Sequence, residues 1–495
     1  MNSLNKFTFL LFSFSLSSIA FANTNISISE TDFEQTEIVF HANEKSVATF
    51  KTTPVPQGYQ GVKIEIKTKS TQKSDTKKED VFRVKLYQLD AKKNEVFNEI
   101  IANPSRTFVP DQPEKTRIIE LESCYFAKEN LPVHLKIERL CNDSADTYDA
   151  SVILTGVKVS PVKKLPEPIV VENKKGYNSW PMIQSWKGKL YYLYTRGSGH
   201  TIGEGARDAF LKISSDNGKT WSKEIPFATD KSYGEVPTSK GLDEDGNILF
   251  WVRFIGRKKP SSHKLYMSKD GVNFEVISTP KLSPFPMQIT DIFKVEKVGL
   301  MALWFATDYK TDKNSWGTLV SNDNGKTWKQ TIIESRLDKK LHHTEPSAVY
   351  LGNGKILVIS RVKNNLDSTD KAQFQIESND YGKTWTTRLT NIGDVMISTP
   401  SLIYDKETGI ISNYYYQRGR GMLKRRVAQA DKIWGNPLAW SKPEIIAFAS
   451  AIGYDAGNVN ATVIGDTHYL AYYSGDRKNA SVVISTAKKP DSEKD

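Results

Sequence analysis

A glycine-rich stretch at residues 196–208 holds several side chains that can exchange protons. His200, Glu204 and Asp208 lie within it, and carboxyl or imidazole groups beside an anionic ligand can hold a proton at neutral pH. Each of the three is therefore a candidate general acid for protonating a leaving oxygen. The four glycines of the stretch indicate a loop, and a solvated loop without chemistry is the alternative.

Glu345 and Arg361 form a second candidate set. They lie at the two ends of a predicted hairpin, and the ends of a hairpin face the same edge of a sheet. A guanidinium group can hold a carboxylate ligand by paired, charge-assisted hydrogen bonds. A surface salt bridge between the two residues is the alternative interpretation.

A repeated motif predicts the elements that position these residues. The pattern S-x-D-x-G-x-T-W occurs at 214–221, 321–328 and 378–385, and a shortened copy lies at 268–274. Successive copies start 54, 53 and 57 residues apart, a period typical of a four-stranded propeller blade. Within each copy, Ser and Asp are expected to bond a tight turn, Gly to supply positive φ, and the aromatic residue to pack between blades. A calcium loop is disfavoured because the terminal glutamate is absent, and no metal or cofactor is predicted.

The N-terminal region differs from the repeats. An apolar run follows Lys6 and ends at the A-x-A pattern of Ala20 to Ala22, which is typical of a signal peptide and predicts a secreted or periplasmic protein. Short alternating stretches between residues 23 and 163 predict a β-sandwich. The predicted domains are the signal peptide at 1–22, a jelly-roll-like sandwich at 23–163 with carbohydrate binding as a candidate role, a six-bladed propeller at 164–488 and a polar tail at 489–495.

The net charge indicates which classes of partner the protein favours. The 68 Lys and Arg exceed the 57 Asp and Glu, for a net charge of +11, which favours anionic partners. The basic residues are scattered rather than clustered, so nucleic-acid binding is not predicted. No later apolar run is long enough to span a bilayer.

Cys124 and Cys141 predict one disulfide in an oxidising compartment, with two free thiols as the alternative.

The repeats resemble the Asp boxes of the sialidase superfamily, and three local matches extend the resemblance beyond the fold. It implies that Glu345 polarises a tyrosine nucleophile and that Arg361 is the second arginine of a carboxylate-binding triad. The third arginine would be Arg420, with Arg418 as the fallback. The nucleophile would be Tyr454, 34 residues past Arg420.

The first blade departs from the family pattern. Where the family has the first triad arginine, this chain has Ser179 in the stretch 178–181. Arg196 or Arg207 is expected to replace it from another backbone position. For the acid, Glu204 matches by spacing and Asp208 by residue type, with His200 as a further candidate. Two residues of the second blade, Glu235 and Arg253, are expected to recognise substrate hydroxyls.

The resemblance implies a retaining exo-glycosidase that removes a terminal acidic keto sugar, sialic acid or a relative such as Kdo, from an acidic glycan. A tyrosine nucleophile suits such a substrate because a carboxylate would repel its anionic group. A propeller-type polysaccharide lyase acting on uronates is one alternative. A glycan-binding protein without turnover is the other. The oligomeric state is left open.

Overall fold

The structure is a computed structural model that describes residues 24–27, 32–40, 47–70, 81–101, 117–140, 152–200, 207–257, 259–308, 313–336, 342–363, 373–392, 395, 398–417, 421–448 and 456–491. The chain divides into two compact units, Met1–Lys163 and Lys164–Asp495. Both are built from β-strands. Among the described residues no helix is long and apolar enough to cross a membrane.

The first unit contains two sheets in its described part. One has the strand order β1-β3-β8-β5-β6 and the other β2-β9-β4-β7. The alternating residues of β4, Val62 and Ile64, are buried, as are Phe50 of β3 and Leu135 of β8, as expected for strands with one apolar face. The strands are β1 Thr24–Ser27, β2 Asp32–Phe40, β3 Val47–Pro54, β4 Tyr59–Ser70, β5 Val81–Leu89, β6 Glu95–Ile101, β7 Arg117–Phe126, β8 Pro132–Leu140 and β9 Val152–Lys163.

The second unit begins with strands that form an eight-stranded and a four-stranded sheet. The eight-stranded sheet has the order β14-β13-β12-β11-β34-β33-β32, with β10 also paired to β34, and the four-stranded sheet has the order β15-β16-β17-β18. The first strand of the unit therefore pairs with its last. The strands of its first half are β10 Ile169–Glu172, β11 Tyr177–Trp186, β12 Lys189–Gly197, β13 Asp208–Ser214, β14 Ile225–Ala228, β15 Tyr233–Leu242, β16 Ile248–Gly256, β17 Ser262–Ser268 and β18 Glu275–Ser278.

Three more sheets complete the described part of this unit. They are β19-β21-β22-β23 with β20 paired to β21, β24-β25-β26-β27, and β28-β29-β30-β31. Their elements are β19 Gln288–Ile289, β20 Phe293–Val295, β21 Gly299–Asp308, β22 Lys313–Ser321, β23 Lys329–Arg336, β24 His342–Gly352, β25 Lys355–Lys363, β26 Gln373–Ser378, β27 Thr386–Leu389, β28 Ser401–Asp405, β29 Ile410–Gln417, β30 Met422–Gln429, α1 Ala430–Ile433, β31 Glu444–Phe448, β32 Ala456–Ile464, β33 Thr467–Gly475 and β34 Ala480–Lys488.

The central strands are apolar on both faces because each sheet packs between two others. On β16, Leu249 and Trp251 pack with Trp304 of β21. The intervening Phe250 and Val252 pack in the opposite direction, in a cluster with β12 and β13. Successive side chains of a strand point to opposite faces, so a strand of this composition requires a neighbour on each side.

The repeated motif forms a locally bonded turn. In the first copy, Ser214 Oγ lies 2.8 Å from Asp216 Oδ1, and the Gly218 and Thr220 amides donate to Ser214 Oγ and Asp216 Oδ1. Gly218 has φ of 81°, which a side chain would disfavour. The copies at 321–328 and 378–385 repeat these hydrogen bonds. The motif is therefore structural, as its residue types predict.

The first strands of successive sheets contact one another. Strand β11 contacts both β15 and β32, and β28 contacts both β24 and β32. Several first strands carry a bulge near the start, between Ser179 and Met182 on β11 and between Thr344 and Ser347 on β24. A bulge leaves one residue unpaired and redirects its side chain.

Candidate functional site

Glu345 occupies the bulge of β24 and has φ of 47°. Non-glycine residues rarely adopt this left-handed conformation, and such strain clusters at functional sites. Pro346 follows it, and proline suits a bulge because it has no amide hydrogen to contribute to the ladder. The local geometry therefore turns the Glu345 carboxylate out of the regular side-chain alternation.

The Glu345 carboxylate binds Arg361 of the neighbouring strand. Arg361 Nη1 donates to Glu345 Oε2 at 2.7 Å, and both side chains are 16% exposed. Arg361 is the cross-strand partner of Thr344, the residue before Glu345. The predicted hairpin therefore places Arg361 next to Glu345. The pair is too buried to count as an ordinary surface salt bridge.

Two residues of other sheets extend this pair. The Thr399 hydroxyl, just before β28, lies 3.1 Å from Glu345 Oε2 and 3.1 Å from Asn458 Oδ1 of β32. Asn458, like Glu345, has a left-handed backbone, with φ of 50°. The four side chains form one continuous polar cluster, which we call the Glu345 cluster: Glu345, Arg361, Thr399 and Asn458.

A small cavity that is open to solvent lies beside this cluster. Its walls come from the first strands of several sheets and include Pro346, Ser347, Thr399 and Asn458. Most of the lining residues carry a hydroxyl or an amide group, which can form hydrogen bonds with a polar ligand.

A second polar network includes two residues that line the cavity, Asp291 and Asn460. Lys240 Nζ donates to the backbone oxygen of Ala461 at 2.8 Å and lies 3.2 Å from Asp291 Oδ2. Asn460 Nδ2 donates to the same carboxylate at 3.0 Å. This network ties β15 to β32. Among the described residues, no group of three His, Cys, Asp or Glu side chains is arranged to hold a metal ion.

Arg207 is buried beside the aromatic residues of β11. Its guanidinium carbon lies 4.5 Å from the Trp180 ring centre, and Nη2 donates to the backbone oxygen of Gly199. Only 2% of the residue is exposed, yet Nη1 has no hydrogen-bond partner among the described residues. Burial lowers the pKa of Arg207 to about 10, because removing a cation from water disfavours its charged form.

His200 belongs to the same aromatic group. Its Nδ1 is 2.7 Å from the hydroxyl of Tyr177, and its amide donates to the backbone oxygen of Arg477. The ring also contacts Trp180, with ring centres 5.6 Å apart. These contacts hold the histidine against the start of β11.

Arg196 is engaged in a separate ion network. Nη1 donates to Glu224 at 2.7 Å, Nε donates to Asn178 at 2.8 Å, and Nη2 lies 3.9 Å from Glu172. Two carboxylates and an amide therefore contact the guanidinium group, and the expected role of Arg196 in binding a substrate carboxylate stays a prediction.

Asp208 and Glu235 lie close together between β13 and β15. Asp208 Oδ2 accepts from Lys231 at 2.9 Å, and Glu235 Oε1 accepts from the Asp230 amide at 2.7 Å. Glu235 is 0% exposed. Burial, together with the charges of Asp208 and Asp230, raises its pKa to about 7. The expected role of Glu235 in recognising substrate hydroxyls stays a prediction.

Arg253 of β16 donates from Nη1 to the backbone oxygen of Met287 at 3.0 Å, and its guanidinium lies 5.6 Å from the Phe285 ring centre. It is half-buried. This contact anchors the segment that leads into β19, one of the strands lining the cavity.

Several predicted residues lie outside the described residues: Glu204, Arg418, Arg420, Tyr454 and Cys141. The predicted contact between Tyr454 and Glu345 therefore stays a prediction, as does the disulfide.

Sequence analysis missed Thr399 and Asn458. A signal for Thr399 was present, because Trp180, Glu345 and Thr399 each precede a proline near the start of a first strand. Aligning the repeats on that proline would have placed Thr399 in register with Glu345. Asn458 precedes valine and carries no comparable signal.

The match to a known family is local, while the match to known structures is extensive. The BNR/Asp-box repeat model matches residues 212–223, which include the first copy of the motif. The similar structures include a Dyadobacter fermentans protein of unknown function, 17% identical with a TM-score of 0.53, covering 66% of this chain and 99% of that one. A Hadza microbial sialidase is 14% identical with a TM-score of 0.52, over 88% and 95% of the two chains.

A mutant of the NanB sialidase from Streptococcus pneumoniae is 11% identical with a TM-score of 0.51, over 87% of this chain and 95% of that one. The chain shares the fold of these sialidase structures. No curated protein matches its sequence. At these identities the sialidase-like fold is shared, whereas the chemistry must be argued from the residues.

Proposed function

We propose that this protein is a retaining exo-glycosidase of sialidase type that releases a terminal acidic keto sugar, sialic acid or a relative such as Kdo, from a glycan. The observation that carries the proposal is the Glu345–Arg361 pair, with its 2.7 Å hydrogen bond beside a polar cavity. The sialidase-superfamily fold supports it, because these two residues also match the family's motif.

The proposed reaction has two balanced steps. The Tyr454 oxygen attacks the anomeric carbon while its proton passes to Glu345, and the glycosidic oxygen leaves with a proton from the loop acid, Glu204 ahead of Asp208. Water then attacks the same carbon and gives a proton to that acid, and Tyr454 regains its own from Glu345. Two displacements at one carbon retain its configuration.

Arg361 and Arg420 are proposed to hold the substrate carboxylate, with Arg418 as the fallback. Two converging guanidinium groups can offset the desolvation of an anion more readily than one. Arg207 is the proposed replacement for the missing first arginine, because no residue in the described part of the chain bonds its Nη1. His200 is proposed to support the same edge of the site.

The fold has a finer proposed form. We infer that the eight-stranded sheet is two blades side by side, β11–β14 and β32–β34 with β10, which makes six blades with the other four sheets. The pairing of β10 with β34 would then close the ring. The first unit is proposed to be a glycan-binding β-sandwich, and export by the signal peptide is proposed for the whole protein.

Product analysis tests the function. Purified protein is incubated with aryl and natural glycosides of sialic acid and Kdo, and wild type is compared with Glu345→Gln and Tyr454→Phe. We expect release of free keto sugar by wild type and losses of about a hundredfold or more in both variants. Glu275→Gln, at an exposed position of β18, is the matched control.

Other products would identify the alternatives. A product that absorbs in the near ultraviolet, formed from a uronate polysaccharide, would indicate a lyase. Binding of glycan without any product would indicate a binding protein. Either result would refute the glycosidase proposal.

A further inference from the structure

We propose that Thr399 is a positioning residue for Glu345, and that Asn458 sets the direction in which the Thr399 hydroxyl donates. This inference rests on the proposed function of Glu345 as the partner of the nucleophile. Glu345 lies on β24, Thr399 just before β28 and Asn458 on β32, and these three strands belong to different sheets.

The first step is the number of protons available. Thr399 Oγ1 lies 3.1 Å from Glu345 Oε2 and 3.1 Å from Asn458 Oδ1, but a hydroxyl has one proton to donate. A carboxylate is the stronger acceptor because it carries a charge. Thr399 therefore donates to Glu345.

The second step is the orientation of Asn458. With the hydroxyl proton directed at Glu345, the amide oxygen of Asn458 would face the lone pairs of Thr399 Oγ1. Exchanging the amide oxygen and nitrogen removes this conflict, and the two atoms differ only in their hydrogen bonding. Asn458 Nδ2 then donates to Thr399, and Thr399 donates to Glu345.

The third step concerns Glu345 Oε2, which accepts hydrogen bonds from two donors. Glu345 Oε2 receives both Thr399 Oγ1 at 3.1 Å and Arg361 Nη1 at 2.7 Å. Two donors on one oxygen restrict the orientation of the carboxylate, because donors prefer to lie near its plane, and this orientation determines where Oε1 lies. In the proposed reaction Oε1 receives the tyrosine proton, and misplacement of a reacting atom costs rate even when binding is unchanged.

Burial makes the arrangement rigid. Thr399 is 8% exposed and Asn458 is 9% exposed, so water competes little for these hydrogen bonds. Glu345 and Asn458 both have the left-handed backbone conformation, which orients their side chains at bulges. Thr399 is the residue that connects them.

The test compares two substitutions at one position. Thr399→Val keeps the shape and removes the hydroxyl, whereas Thr399→Ser keeps the hydroxyl and removes a methyl group. We expect Thr399→Val to lose about tenfold to a hundredfold in kcat with little change in KM, and Thr399→Ser to stay within about threefold of wild type. The acidic limb of the pH–rate profile should move to higher pH in Thr399→Val alone.

Two further variants keep the test decisive. Thr387→Val, at an exposed position of β27, controls for the substitution itself. Asn458→Ala should lower kcat in the wild-type background but add little in Thr399→Val, because both act through one chain of bonds. If Thr399→Val does not fold, Asn458→Ala and Thr399→Ser still report on that chain.

The outcomes separate the two claims. An active wild type with equal kcat in Thr399→Val overturns the positioning role and leaves the glycosidase proposal intact. Equal losses in Thr399→Val and Thr399→Ser also overturn it, because the hydroxyl would then not be the group that matters. A wild type inactive on every keto-sugar glycoside overturns both.

Discussion

Glu235 should make the stability of the second unit depend on pH. The residue is 0% exposed, and within the described ranges Oε2 has no hydrogen-bond partner. Replacement by glutamine removes the ionisable group while keeping the shape. The Oε1 atom of glutamine can still accept from the Asp230 amide, as Glu235 does at 2.7 Å.

The magnitude follows from the pKa of Glu235 in the two states. Burial first, and then the nearby aspartates, raise the pKa from 4.5 to about 7 in the folded protein. The folded state therefore holds this proton more tightly than the unfolded state. The resulting stability is fully present below pH 4.5 and is lost as the pH rises through about 7. At about 1.4 kcal/mol per unit of pKa, the difference between 4.5 and about 7 gives a loss of at most about 3–4 kcal/mol.

Denaturant unfolding at pH 5, 6, 7 and 8 measures this effect. Fluorescence of the buried tryptophans Trp251 and Trp304 reports on the second unit. Wild type should lose stability from pH 5 to pH 8 relative to Glu235→Gln, with the two proteins similar at pH 5. Glu275→Gln should follow wild type. If wild type and Glu235→Gln change in parallel across this range, Glu235 does not titrate there and the argument from its burial is wrong.

Three more predictions concern other parts of the chain. Gly271→Ala should destabilise the protein by about 2–4 kcal/mol in thermal or denaturant unfolding, because a Cβ at φ of 75° would lie 2.7 Å from Trp186 and clash with Tyr191; unchanged stability would contradict this. Glu204→Gln should lose activity on a natural glycoside while keeping much of it on an aryl glycoside, whose leaving group departs without protonation. Equal losses on both substrates would mean that another residue is the general acid. The exported protein should have a mass two hydrogens below that of its reduced form, and reactive free thiols in unreduced protein would exclude the predicted disulfide.

The Asp-box turns were predictable because their interactions are local. Ser214, Asp216, Gly218 and Thr220 bond one another within seven consecutive residues, so residue types and spacing suffice to define the turn. The hairpin that joins Glu345 to Arg361 was predictable for the same reason. Its two strands follow one another directly in the chain.

The partners and the burial of individual charged residues depended on the tertiary structure. Arg196 and Arg207 looked equivalent in the sequence, yet Arg196 pairs with Glu224 while Arg207 is buried against Trp180. The burial of Glu235 likewise depends on β13 packing beside β15. Periodicity shows which residues lie in a strand, but it does not show which side chain from another sheet lies opposite them.

The Glu345 cluster contains both kinds of contact: one that local sequence predicts and others that only the tertiary structure shows. The sequence by itself determined the repeat, the all-β class, and the Glu345–Arg361 hairpin. Thr399 and Asn458 are 54 and 113 residues from Glu345 in the chain, and they meet it only because the first strands of β24–β27, β28–β31 and β32–β34 converge. Such contacts arise from the packing of separate sheets, which no local pattern of residues encodes.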